Sequence, residues 1–105
     1  MLNFNRLKYL DKNVFNNLFN LKMLDLSYNF LEYIQNDLFK HTKNLFILYL
    51  NNNSIKYIQN EALKNLNYLK NFYFQNNPLD ELNFEIFNGL EKINQIILPV
   101  NIKFD

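Results

Sequence analysis

The sequence predicts an α/β solenoid: a stack of coils, each contributing one short strand to a parallel sheet and returning through short helical turns or irregular coil. Two observations carry this. Asparagines at 5, 29, 53, 77 and 101 stand 24 residues apart. Apolar columns keep the same period around them: Leu2, Leu26, Leu50, Phe74 and Leu98 three before each Asn; Leu24, Leu48, Phe72 and Ile96 five before; Leu21, Leu45, Leu69 and Ile93 eight before. Behind the Asn come Leu7, Leu31, Ile55 and Leu79, then Leu10, Ile34, Ile58 and Leu82, and finally Phe15, Phe39, Leu63 and Phe87. A fixed period of this length marks a repeat architecture in which only stacking buries each unit's apolar face.

Each element follows from its letters. Alternation of period two before each Asn predicts a strand with one face inward. Strands 24 residues apart in identical coils must be parallel neighbours, about 4.8 Å apart. At the turn out of the strand, backbone groups point into the stack. An unpaired buried group costs about 1–3 kcal/mol. Asn offers both donors and an acceptor on one short side chain, so Asn5, Asn29, Asn53, Asn77 and Asn101 are expected to form a ladder linking the coils. On this reading Asn53→Leu destabilises far more than Asn52→Leu. The return segments are expected to begin helical turns at Asn13, Asp37, Glu61 and Glu85, and Asn88-Gly89 supplies a flexible spot in the last. Lys8, Glu32, Lys56 and Asp80 alternate in sign in one column, which gives register support from exposed pairs; Tyr9, Tyr33 and Tyr57 form a lateral packing column beside them.

These columns, L-x-x-L-x-L-x-x-N-x-L with Phe ten after the Asn, resemble the leucine-rich repeat in its "typical" 24-residue form, frequent in Toll-like receptors, small leucine-rich proteoglycans and variable lymphocyte receptors. The resemblance implies a horseshoe segment of about four repeats, with the parallel sheet on the concave side. Its units are about 1–20 (partial), 21–44, 45–68, 69–92 and 93–105 (partial), expected to belong to a longer array. Extracellular members usually carry cysteine-containing caps, and this chain has no cysteine. Uncapped ends admit end-to-end self-association, and a truncated array without independent function is a further reading.

Composition excludes several function classes. The chain of 105 residues has 49% hydrophobic residues and a formal net charge of +1, so it builds a core and shows no basic patch for nucleic acid. No apolar run is long enough to insert in a membrane, and the first residues, MLNFNRLKYLDKN, are not a signal peptide. The compartment is left open; the resemblance favours an extracellular or membrane-anchored ectodomain. The 22 asparagines are read as compositional bias, and weight is given only to those at fixed period.

Catalysis finds no support. His41 is the single histidine, expected to be solvated. Ser27, Ser54 and Thr42 have no base at a telling spacing, and the adjacent acids Asp80 and Glu81 point apart on an extended segment. There is no Gly-rich phosphate loop and no cofactor is expected. What remains is the strand face turned away from the core. Met23, Ile47, Asn71 and Gln95 form one row, Asp25, Tyr49, Tyr73 and Ile97 the next, and Ser27, Asn51 and Gln75 the third. Tyrosine gives large contact area at low entropic cost, which suits a protein contact. By resemblance, the chain is a non-catalytic module that binds a protein partner through Met23, Asp25, Ile47, Tyr49, Asn51, Asn71, Tyr73 and Gln75. The alternative is the substrate-recognition arm of a larger enzyme, such as a receptor kinase or ubiquitin ligase. Asn52-Asn53-Ser54 also matches the glycosylation sequon, at Asn52.

Overall fold

A computed structural model describes residues 2–104. Its elements are β1 (Met23–Asp25), β2 (Tyr33–Ile34), β3 (Ile47–Tyr49), β4 (Tyr57–Ile58), β5 (Asn71–Tyr73), β6 (Glu81–Leu82), a 3-10 helix η1 (Phe84–Phe87), β7 (Gln95–Ile97) and β8 (Lys103–Phe104). The main sheet runs β1-β3-β5-β7, all parallel, with Met23 opposite Ile47, Ile47 opposite Asn71 and Asn71 opposite Gln95. The register is the sequence period. Among the described residues the first coil adds no strand, but Leu2 N–H donates to Asp25 O (3.2 Å) and Phe4 N–H to Ser27 O (3.1 Å), continuing the ladder.

Inside the coils, the apolar columns meet as one core. Leu26, Leu48, Leu50, Phe72 and Phe74 have no exposed surface, and Phe15 stacks parallel on Phe39 at 6.2 Å between ring centroids. Full burial of one such side chain is worth about 1.5–3 kcal/mol. Leu63 and Thr42, the departures from their columns, are also completely buried; Thr42 donates its hydroxyl to Phe39 O at 3.3 Å, so the polar atom is satisfied.

The return side is leaner in helix than the letters imply. Its turns are closed by three-residue backbone bonds, for example Lys40 N–H to Asp37 O (3.4 Å) and Lys64 N–H to Glu61 O (3.2 Å), and among the described residues only η1 is long enough to count as a helix. The caps lie two residues before the expected positions. Asp11 accepts from Asn13 N–H, and Asn83 accepts from Glu85 N–H, each at 2.8 Å. A cap must stand ahead of the N–H it satisfies, so Asn13 and Glu85 donate the N–H groups and Asp11 and Asn83 are the caps. Where Gln35 and Gln59 hold the equivalent place, their amides reach between coils instead, Gln35 to Leu10 O (3.2 Å) and Gln59 to Asn36 N–H (2.6 Å).

The lateral flank carries a second set of strands, in two parallel pairs, β2-β4 and β6-β8. Tyr33 and Tyr57 stack at 5.6 Å, whereas Tyr9 stands 81% exposed. The alternating column Lys8, Glu32, Lys56 and Asp80 makes no ion pair among the described residues, where the single pair is Lys64 with Glu61 at 3.5 Å. Its register comes from the main chain: Glu32 N–H donates to Lys8 O and Lys56 N–H to Glu32 O. Exposed ammonium and carboxylate groups gain little over their hydration, so long side chains there are not held together.

The concave sheet and the groove at its strand ends

At the strand exits, three asparagines make near-identical contacts. The Asn53 amide donates to Leu26 O (3.0 Å), Leu50 O (3.2 Å) and Asn51 O (3.3 Å), while its oxygen accepts from Leu31 N–H (3.1 Å). Asn77 does the same with Leu50, Phe74 and Gln75 carbonyls and Ile55 N–H; Asn29 does so with Leu2, Leu26 and Ser27 carbonyls and Leu7 N–H. Each side chain thus ties its own coil to the preceding one. Asn5 keeps only bonds within its coil, to Leu2 O (3.0 Å) and Asn3 O (3.3 Å).

Asn101 departs from the expected ladder. It is exposed and its side chain has no hydrogen bond among the described residues. Two local causes act together. In the other coils the left-handed residue of the turn stands just before the Asn, at Phe4, Tyr28, Asn52 and Asn76 (φ 57–60°). In the last coil that place falls to Val100, and a β-branched side chain resists the left-handed region. Asn101 takes it instead, at φ 61°, which turns its amide out. One coil earlier, Pro78 replaces Ser54 and Phe30, whose N–H groups donate to Leu31 O and Leu7 O at 2.8 Å. Proline has no N–H, so Leu79 N–H takes the Ile55 carbonyl (3.1 Å) and needs no acceptor from Asn101.

The concave face is built by the alternation within each strand. Register places Asp25, Tyr49 and Tyr73 in one row across β1, β3 and β5, with Met23, Ile47 and Asn71 in the row beside it. The rings of Tyr49 and Tyr73 stack at 4.8 Å and 8°. Tyr73 donates its hydroxyl to Gln95 Oε1 at 3.4 Å. Asp25 carries the only charge in these rows among the described residues and accepts from both the N–H and the hydroxyl of Ser27. Asn51 donates to Asn52 Oδ1 at 2.8 Å, leaving its own oxygen buried without a donor; Gln75 Oε1 is in the same condition.

A groove of about 570 Å³ opens beside this face, along the column of left-handed residues. Phe4, Arg6, Tyr28, Phe30, Asn52 and Asn76 form its walls. Phe4 and Arg6 carry no signal in the repeat pattern; only the left-handed backbone, which the letters do not encode for an aromatic, brings Phe4 onto Tyr28. His41, expected in solvent, is half-buried: its Nδ1 accepts from Asn17 N–H (2.8 Å) and its ring packs on Phe19 at 5.1 Å. Among the described residues no group of three metal-ligating side chains occurs, and no helix is long and apolar enough to cross a membrane.

A family model described as leucine rich repeat matches residues 1–55. The chain belongs to the leucine-rich repeat family. No curated protein sequence matches this repeat chain. Among solved structures 35 chains match. One comes from the Toll–Spatzle complex, described as a molecular hub in Drosophila development and innate immunity, in its glycosylated form. It superposes with a TM-score of 0.78 at 25% identity, over 94% of this leucine-rich repeat chain and 14% of its own.

Proposed function

We propose that this leucine-rich repeat chain is a non-catalytic recognition module that binds a protein partner on its concave sheet, of receptor or matrix type. The observation that carries the reading is the row of Asp25, Tyr49 and Tyr73 on neighbouring strands, with the two rings pre-stacked at 4.8 Å. Stacked rings on a hydrogen-bonded sheet have little rotamer freedom left to lose, so a partner meets a preformed apolar surface. Met23, Ile47 and Asn71 extend that surface, and Asn51 and Gln75 border it. The solved Toll structure is that of a complex with Spatzle, which supports a protein as the kind of partner.

The test uses partners recovered by affinity capture on the immobilised chain. The double variant Tyr49→Ala, Tyr73→Ala is expected to weaken a recovered partner at least about tenfold, equivalent to about 1.4 kcal/mol. Tyr57→Ala, which removes a comparable stacked ring from the lateral flank, is expected to leave its affinity within about twofold. Equal affinity of parent and double variant would remove the proposal.

We further propose Asn52 as a glycan acceptor when the chain is made in a secretory pathway. It stands half-buried in a turn at φ 59°, with Ser54 in the sequon position. Secretory expression is expected to give a heavier species that collapses to the peptide mass on enzymatic deglycosylation and is absent from Ser54→Ala. A parent chain secreted at its bare peptide mass would count against it.

A further inference from the structure

We propose that the groove at the strand ends is a second binding site, which takes a peptide segment of a partner protein presenting an apolar side chain next to a carboxylate. Four successive coils hold Phe4, Tyr28, Asn52 and Asn76 in the left-handed region, with φ between 57° and 60°. That conformation is accessible to Asn and unfavourable for an aromatic residue. The first two positions nevertheless carry aromatics. Neither ring serves the core: Phe4 is 71% and Tyr28 46% exposed, and they stack on one another at 4.5 Å and 9°. Phe30, 51% exposed, lines the same groove. Three rings are therefore gathered at one edge of the sheet, two of them on strained backbone, which is where binding sites store strain.

Charge and hydrogen bonding narrow the occupant. Arg6 is the only charged residue among those lining the groove, and it has no ion pair among the described residues. A guanidinium in that setting selects a carboxylate, which it can hold by two parallel bonds. The Asn76 side chain has no hydrogen bond among the described residues, and Asn52 has its oxygen engaged by Asn51, leaving its NH2 free to donate. Amides of this kind suit the alternating N–H and C=O groups of a peptide backbone. The volume of about 570 Å³ fits a few side chains rather than a folded surface. A sugar fits less well, because the stack consumes one face of both Phe4 and Tyr28. A glycan on Asn52 would fill the middle of the groove, so peptide binding belongs to the unglycosylated chain.

The experiment is selection of a phage-displayed random peptide library on the full chain made in bacteria, followed by titration of the enriched sequences as synthetic peptides. Enriched peptides are expected to carry Asp or Glu within two residues of an aromatic or long aliphatic residue. Their Kd is expected to rise at least tenfold for Arg6→Ala and for Tyr28→Asn, and to stay within twofold for Tyr49→Ala. Tyr28→Asn repeats what Asn52 and Asn76 do in the same turn, so it removes the ring while keeping the fold; Arg6 is exposed, so its loss leaves packing intact. Binding is also expected to shift the side-chain amide resonances of Asn52 and Asn76. Failure to enrich any peptide, enrichment without acidic residues, or binding that survives Arg6→Ala overturns the proposal. So does a neutral or sulfated oligosaccharide that shifts those resonances when no peptide does.

Discussion

Replacing Asn53 by leucine is expected to destabilise the chain by about 3 kcal/mol, the sum of one orphaned buried N–H at about 1–3 kcal/mol and three lost bonds of smaller net worth. The orphan is Leu31 N–H, whose acceptor is Asn53 Oδ1 and whose residue has no exposed surface. The carbonyls suffer less. Leu26 O keeps the Asn29 amide and Leu50 O keeps the Asn77 amide as donors. Against a total of about 5–15 kcal/mol, the loss is large, and the thermal midpoint should fall by more than about 10 °C. Asn53→Asp retains the acceptor but sets a carboxylate among three carbonyl oxygens, so it is expected to be at least as damaging.

The choice of control matters. Asn52→Leu is less innocent than the repeat pattern implies, because Asn52 sits at φ 59° and a leucine there costs about 1–2 kcal/mol through the backbone. Asn52→Gly keeps that conformation at little cost and is expected to stay within about 0.5 kcal/mol of the parent. The asparagines at fixed period should also separate among themselves. Asn29 and Asn77 are expected to behave like Asn53, Asn5 with two bonds in its own coil should matter less, and Asn101→Gly should be almost silent. Equal unfolding midpoints for Asn53→Leu and Asn52→Gly would refute the account.

The ranking also marks how far the letters could be read. The period, the parallel register and the buried columns were legible, because burial is decided by side-chain type and repeats every 24 residues. The rows of the concave face followed from the same alternation. The end of the asparagine column was not legible from the Asn alone. It depends on whether Val100 can enter the left-handed region and on which N–H Pro78 removes, and both are properties of neighbours outside the motif. The caps differ from the expected positions for a related reason: an acidic residue near a turn start resembles a cap, but Glu85 donates its N–H to the side-chain oxygen of Asn83, which is the cap. The charge column failed on magnitude, since exposed pairs are worth too little to order their side chains. Phe4 and Arg6 could not be found at all, because their groove exists only once the turn has folded.

Gly89 is where the second large effect is expected. The residue is more than a flexible spot. Its φ is +93°, outside the region where L side chains are comfortable, and a Cβ built on it would lie 2.5 Å from Lys64 O, 3.1 Å from Lys64 C and 3.2 Å from Lys64 Cα. All three are backbone atoms of the preceding coil, in a turn already fixed by Lys64 N–H to Glu61 O, so no flexible side chain can move aside. Gly89→Ala therefore combines backbone strain with forced separation of two coils. It is expected to cost about 1–3 kcal/mol, with Asn88→Ala, one residue away and exposed, near zero. In a stack of coils the damage should stay local, because each coil contacts only its neighbours. Hydrogen exchange should accordingly show the Asn94 and Gln95 amides, which donate to Lys70 O, losing protection first. Leu26 N–H, donating to Tyr49 O at 2.9 Å two coils away, should keep most of its own. An alanine variant with the parent's thermal midpoint and unchanged exchange at Asn94 would mean that the last coil can slide over Lys64, and that the close approach of the two turns constrains nothing.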